Sequence, residues 1–128
     1  MGEVIMEEKR KLLLIIEDHQ TTQRILTRVL EYNGWDVEAA STVSQGLELL
    51  NTKPHCVVLD LMLPDGNGED VLRRAKEVNP QIRVVVTSAT GDEKRLEALR
   101  ELKPDAIIPK PIEMNTLLNA CSASPTSQ

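Results

Sequence analysis

Hydrophobic residues follow two periods along this chain, and the two periods alternate. Short apolar stretches of strand length, typical of strands in a buried sheet, are followed by segments in which apolar residues recur at helical spacing. The first pattern predicts five strands, at residues 12–16, 35–40, 56–59, 82–86 and 106–108. The second predicts five helices, at about 19–33, 42–50, 71–78 and 92–102 and from Pro111 onward.

Turn and capping residues support these boundaries. Asn33-Gly34 is a typical helix stop, and Thr42 followed three residues later by Gln45 is the capping-box pattern of a helix start. The segment 64–68 contains one proline and two glycines, and it predicts a tight loop between the third strand and the third helix.

Five strand-helix units in succession require a parallel sheet with helices on both faces, because each right-handed crossover lays its helix against the sheet. The expected fold is therefore α/β and doubly wound, with a five-stranded parallel sheet in the order 2-1-3-4-5 and five helices on two faces. Ligands of such folds bind at the carboxyl ends of the strands, where strands one and three meet. Glu17, Asp18 and Asp60 lie at the ends of these two strands.

Charge and composition exclude several classes of partner. The 15 basic and 20 acidic side chains give a net charge of -5, which opposes direct binding of nucleic acid. No apolar run approaches the roughly 18 residues that span a bilayer, so no membrane partner is expected. Cys56 and Cys121 lack close-spaced partners, which predicts neither a zinc site nor a disulfide framework and suits a cytoplasmic location.

The chain has the length of one domain, at 128 residues. We expect a leader at 1–10, the folded domain at 11–121 and a tail or linker at 122–128, where apolar residues are almost absent.

The predicted strand ends carry a chemically coherent set of side chains. Three carboxylates at one edge of a sheet repel one another unless a cation is present, and Mg²⁺ prefers oxygen ligands. Strand four ends in Thr87-Ser88, and Lys110 follows strand five, so a hydroxyl and an ammonium join the acids. A carboxylate nucleophile, a metal and a lysine suit phosphoryl transfer.

In their order along the chain, these motifs resemble the receiver domains of two-component response regulators, over about residues 11–121. The matching residues are Glu17-Asp18, then Asp60 with Pro64 four and Gly68 eight positions later, then Ser88-Ala89, then Lys110-Pro111. Each motif alone has a structural explanation, such as a helix cap or a surface lysine. Together and in order they are specific, and the resemblance implies a flavodoxin-like fold.

The resemblance also implies roles for single residues. Asp60 would accept a phosphoryl group from a phosphohistidine on a sensor histidine kinase or a histidine phosphotransfer protein. Mg²⁺ would be held by Asp18, Asp60 and the backbone carbonyl of Met62, with Glu17 acting mainly through water. Ser88 would bond the phosphoryl group and Lys110 would pair with it. The family implies a cis Lys110-Pro111 peptide bond, and no enzyme activity beyond self-phosphorylation and self-dephosphorylation.

Three positions bear on the behaviour of such a receiver. Met62 and Thr90, two positions beyond Asp60 and Ser88, flank the path of the attacking water in the family. Neither is a strong base, so slow self-dephosphorylation is expected. Ile107 stands where many receivers carry an aromatic switch residue. We therefore expect signalling through Ser88 into the fourth helix, with a homodimer or partner docking on the fourth helix, fifth strand and fifth helix.

Other classes fit the residues less well. A haloacid-dehalogenase-type phosphatase needs a second aspartate two residues after the nucleophile, where this chain has Met62. A flavin carrier needs a phosphate loop after strand one, where Glu17 and Asp18 repel phosphate. A receiver-like interaction module that works without phosphorylation remains an alternative. His19 and His55 lack partner ligands in pattern and are expected to be exposed or capping groups.

Overall fold

The sheet contains five parallel strands with a buried centre. The computed structural model of the protein describes residues 10–122. The strands are β1 (Leu12–Ile16), β2 (Asp36–Ala40), β3 (Cys56–Asp60), β4 (Arg83–Ser88) and β5 (Ala106–Pro109). Their order is β2-β1-β3-β4-β5, which confirms the predicted order. All five residues of the central strand β3 are buried, which explains why its sequence is continuously apolar up to Asp60.

Helices cover both faces of the sheet, as predicted. They are α1 (Gln20–Tyr32), α2 (Val43–Leu49), α3 (Gly68–Val78), α4 (Glu93–Glu101) and α5 (Met114–Ser122), with a 3₁₀ turn at Leu50–Thr52 after α2. Buried side chains of α1 and α5 form one core cluster, and those of α2, α3 and α4 form the other. Along β1, Leu13 and Ile15 face the first cluster, whereas Leu14 and Ile16 face the second. This alternation explains the uninterrupted apolar run of β1.

The predicted start of the last helix is wrong. This helix begins at Met114 instead of Pro111, because Glu113 provides its cap. The Glu113 carboxylate accepts hydrogen bonds from the backbone N–H of Thr116 at 2.8 Å and from the Thr116 hydroxyl at 2.6 Å. The peptide bond between Lys110 and Pro111 is cis, as the resemblance implies.

The tight loop predicted after β3 contains a small antiparallel ribbon. Met62–Leu63 pairs with Gly66–Asn67, and α3 follows at once. The turn is therefore more regular than its proline and glycines indicate.

Most of the expected leader and tail lies outside the described residues. At the two ends of the described range, Arg10 Nε lies 3.2 Å from Asp36 Oδ1, and Ser122 belongs to α5. Cys56 and Cys121 are both free and lie buried in the same core cluster. None of the helices within residues 10–122 combines the length and apolar character needed to cross a bilayer.

Candidate functional site

Four strand ends bring polar side chains to one edge of the sheet. Glu17 and Asp18 directly follow β1, Asp60 ends β3, Ser88 ends β4 and Lys110 follows β5. Because β1 and β3 are parallel neighbours, their carboxyl ends lie side by side. Glu17, Asp18 and Asp60 each offer a carboxylate oxygen, and these oxygens lie within 4.8 Å of one another. The structure therefore brings together the three acids selected from the sequence.

Lys110 is the cation of this acidic cluster. Its Nζ lies 3.2 Å from Asp60 Oδ2 and 3.2 Å from Glu17 Oε1. The side chains of Glu17 and Asp60 are only 2% and 6% exposed, so both pairs are shielded from solvent. Burial by itself lowers the pKa of Lys110, but the charges and hydrogen bonds of Asp60 and Glu17 together raise this pKa above its usual value. Lys110 is therefore charged at neutral pH.

Glu17 and Asp18 are adjacent in sequence but differ in environment. Glu17 is buried, and its Oε2 accepts a hydrogen bond from the His19 N–H at 3.0 Å. Burial raises the pKa of Glu17, and the nearby charge of Asp60 acts in the same direction. Asp18 is exposed. Three carboxylates against one lysine leave an excess of negative charge on oxygen donors, and this donor set fits a hard divalent cation such as Mg²⁺.

Ser88 lies at the same edge, with its hydroxyl engaged in its own loop. Ser88 is 4% exposed, and its Oγ accepts a hydrogen bond from the Thr90 N–H at 3.0 Å. The Ser88 carbonyl accepts a hydrogen bond from the Lys110 N–H at 2.9 Å. Among the side-chain hydrogen bonds within residues 10–122, none joins Ser88 to Asp60.

The loop after Asp60 is anchored at its start and at its turn. The Met62 N–H donates to Asp60 Oδ1 at 3.1 Å, which orients the carboxylate. The Asp65 carboxylate accepts hydrogen bonds from the N–H groups of Val43 at 2.7 Å and Ser44 at 3.1 Å, at the N-terminus of α2. These contacts lower the pKa of Asp65, with the Val43 N–H as the largest cause.

Comparison with known proteins decides the family. The family model of the response regulator receiver domain matches residues 13–122. The chain belongs to this family.

The receiver domain is similar to curated proteins and to solved structures over most of its length. It is 35% identical over 115 residues to the photosynthetic apparatus regulatory protein RegA of Rhodobacter capsulatus, covering 89% of this chain and 62% of RegA. It matches a CheY-like receiver domain protein of Methanospirillum hungatei JF-1 with a TM-score of 0.82 and 25% identity, covering 87% of this chain and 90% of the other. It matches the non-phosphorylated HemR receiver domain of Leptospira biflexa with a TM-score of 0.79 and 29% identity, covering 93% and 100%. The chain thus spans less than two thirds of the length of RegA.

Sequence reasoning missed several residues that shape the receiver site. Gln23 of α1 donates through Nε2 to the carbonyl oxygens of Glu17 at 2.8 Å and Ala40 at 3.1 Å, and so ties the ends of β1 and β2 together. Arg95 of α4 forms an ion pair with Glu69 of α3. No local pattern marks these contacts, because each depends on how separate elements pack together: α1 beside the ends of β1 and β2, and α4 beside α3.

Both histidines are exposed, as expected from the sequence, and one of them is a helix cap. His19 is exposed and is the N-cap of α1, with its side chain accepting from the Thr22 N–H. His55 is exposed, and its Nδ1 lies 3.4 Å from the Leu12 N–H nitrogen.

Proposed function

We propose that Asp60 is the phosphoacceptor of this receiver domain and takes its phosphoryl group from a phosphohistidine on a sensor histidine kinase or a histidine phosphotransfer protein. The observation that carries this assignment is the pairing of the buried Asp60 carboxylate with Lys110 at 3.2 Å, beside two further acids at the edge where β1 and β3 end. In the transfer, one carboxylate oxygen of Asp60 bonds to phosphorus while the phosphorus–nitrogen bond breaks. The released imidazole keeps the electron pair and takes up a proton.

Lys110 serves this transfer as a fixed positive charge. It holds one oxygen of Asp60 before transfer, and it pairs with the added phosphoryl oxygens afterwards. Because its pKa is raised, Lys110 keeps its proton throughout the neutral range. It neutralises charge and does not act as an acid.

Ser88 serves as the switch hydroxyl in this proposal. Its Oγ lies at the start of the loop that leads to α4, and it accepts a hydrogen bond from the Thr90 N–H in the unphosphorylated protein. A phosphoryl group on Asp60 offers stronger acceptors, to which the Ser88 hydroxyl can donate. The loop from Ser88 to α4 then follows the hydroxyl.

Mg²⁺ fits the acids of this site. Asp18, Asp60 and the Met62 carbonyl would hold it, and Glu17 would act mainly through water, as the resemblance to the family implies. When bound, the ion neutralises charge on the transferred oxygens.

The wider setting is also a proposal. We place the domain in the cytoplasm, upstream of an output that depends on the full-length protein. A homodimer or a partner would bind on α4, β5 and α5, the surface that adjoins the loop from Ser88; within residues 10–122, β5 is also an edge strand and pairs with β4 alone. The chemistry proposed for the domain itself is limited to taking up and releasing one phosphoryl group.

The assignment is tested by treating the protein with acetyl phosphate and Mg²⁺ and measuring intact mass. The wild-type protein and Asp65→Asn should gain one phosphoryl group, because Asp65 is an exposed acid in the same loop that we assign no role in transfer. Asp60→Asn should gain none. An equal gain in Asp60→Asn would overturn the assignment. If folded wild-type protein gains nothing, the alternative of an interaction module that works without phosphorylation is favoured.

A further inference from the structure

Arg95 of α4 connects this helix to the segment that follows Asp60. Its Nε lies 2.9 Å from Glu69 Oε2, and its Nη2 lies 3.0 Å from Glu69 Oε1, so the guanidinium grips the carboxylate with two parallel bonds. Nη2 also donates to the Leu61 carbonyl at 3.2 Å, and Nη1 lies 3.1 Å from the Met62 sulfur. One side chain thus contacts the two residues after Asp60 and the first turn of α3.

This ion pair is partly shielded from water. The side chains of Arg95 and Glu69 are 24% and 15% exposed, less than the pairs on the outer face of α3. Burial alone raises the pKa of Glu69, but the hydrogen bonds and charge of Arg95, together with the Glu69 backbone N–H and the charge of Arg73, lower this pKa below its usual value. A bidentate guanidinium pair of this kind is also geometrically specific, and lysine cannot reproduce it.

The ion pair matters because α4 buries few side chains in the core. Leu99 is the one fully buried residue of α4, whereas α3 buries four. Leu96 and Leu102 pack partly buried against the same core, and Arg95 adds a polar attachment of α4 to α3 and to the segment after Asp60.

The same helix is joined through a short loop to Ser88. In the arrangement described, the Ser88 Oγ accepts from Thr90 within that loop, and Arg95 holds the first turn of α4 to the segment after Asp60. A shift of Ser88 toward Asp60 would move the loop and α4 together. Such a shift would strain or break the Arg95 contacts.

We propose that Arg95 is a positioning residue of the switch: its contacts with Glu69, Leu61 and Met62 stabilise the arrangement in which the Ser88 hydroxyl bonds to Thr90, and they are lost when Asp60 carries a phosphoryl group. This proposal rests on the proposed function of Asp60. A contact present in only one of two states opposes conversion to the other, so removing it favours the phosphorylated arrangement.

The test uses beryllofluoride with Mg²⁺ as the phosphoryl mimic, titrated against the amide signals of residues 88–92 in ¹H–¹⁵N spectra. Arg95→Ala should bind the mimic about fivefold more tightly than wild type, equivalent to a coupling of about 1 kcal/mol. Glu69→Ala should also bind it more tightly, but by a smaller factor, because it leaves the contacts of Arg95 with Leu61 and Met62. The double variant should bind no more tightly than Arg95→Ala, because Glu69 acts only through its contact with Arg95. Arg100→Ala is the matched control, since Arg100 is exposed on the same helix and forms no side-chain hydrogen bond within residues 10–122. Arg95→Lys should behave like Arg95→Ala.

Other results overturn the proposal in distinguishable ways. Unchanged affinity in both variants would mean that the Arg95 contacts are present in both states and play no part in the switch. Weaker binding in Arg95→Ala alone would make Arg95 a ligand of the phosphoryl group. If wild type does not bind the mimic at all, the proposed function of Asp60 fails as well. Should Arg95→Ala not fold, Arg95→Lys, which keeps the charge but not the two parallel hydrogen bonds to Glu69, gives the same comparison.

Discussion

Gly68 lies directly against the backbone of Asp60. A Cβ atom built on Gly68 would stand 2.7 Å from the Asp60 carbonyl oxygen and 3.1 Å from the Leu61 Cα. Both neighbours are backbone atoms, so neither can relieve the clash by a side-chain rotation. The first residue of α3 must therefore lack a side chain if Asp60 is to keep its position.

Replacing Gly68 by alanine should destabilise the protein. Overpacking costs about 1–3 kcal/mol, which exceeds the gain of about 0.5–1 kcal/mol that alanine has over glycine in a helix. Gly91→Ala is the control, because nothing lies within 4 Å of a Cβ at Gly91. Urea unfolding should give a lower midpoint for Gly68→Ala only. Equal midpoints for the two variants would show that the backbone at Asp60 and Leu61 shifts to accommodate the added methyl group.

The phosphorylated domain should lose its phosphoryl group slowly. Met62 is 56% exposed but apolar, and the Thr90 Oγ1 already accepts from the Asp92 N–H at 3.1 Å, so neither side chain is suited to orient an attacking water. Met62→Asn combined with Thr90→Glu should speed phosphate release about tenfold, less than the roughly 100-fold typical of full general-base catalysis. Met62→Leu should leave the rate unchanged. An unaltered rate in the double variant, measured by release of inorganic phosphate, would contradict this account.

The response to phosphorylation should appear in α4 and not at the centre of β5. Ile107 is a half-buried, β-branched side chain packed against the cluster under α3 and α4, and it has no aromatic ring to exchange between positions. With beryllofluoride and Mg²⁺, amide exchange should change over residues 88–102 and little at Ile107. A dominant change at Ile107 with a silent α4 would defeat this prediction.

The Asp65 contact with α2 should depend on pH. Its folded pKa is lowered, so its stabilisation is fully present above the unfolded value of about 3.9 and is lost as pH falls through the folded value. Asp65→Asn should therefore be less stable than wild type at neutral pH, and the difference should shrink below about pH 4. Glu48→Gln, an exposed change in α2, is the control. A difference that persists unchanged into acid would mean that charge at Asp65 is not its cause.

Local patterns in the sequence were sufficient to predict the fold and the acidic cluster. The apolar runs of β1 and β3 end at Glu17 and Asp60, and parallel pairing then places these acids side by side. The pairing of Arg95 with Glu69 was not predicted, because it depends on how α4 lies beside α3 and not on either local sequence. The cap of α5 was missed for a different reason. Glu113 is not a typical capping residue, whereas Pro111 is a common first residue of a helix.

The position of the phosphoryl group is the most direct measurement of the central claim. The protein would be phosphorylated with acetyl phosphate and Mg²⁺, then reduced with borohydride, which converts an aspartyl phosphate to homoserine, and its peptides mapped by mass spectrometry. We predict homoserine at position 60 in the wild-type protein and no reduced residue in Asp60→Asn. Homoserine at position 18 or 65 with position 60 unmodified would contradict the account.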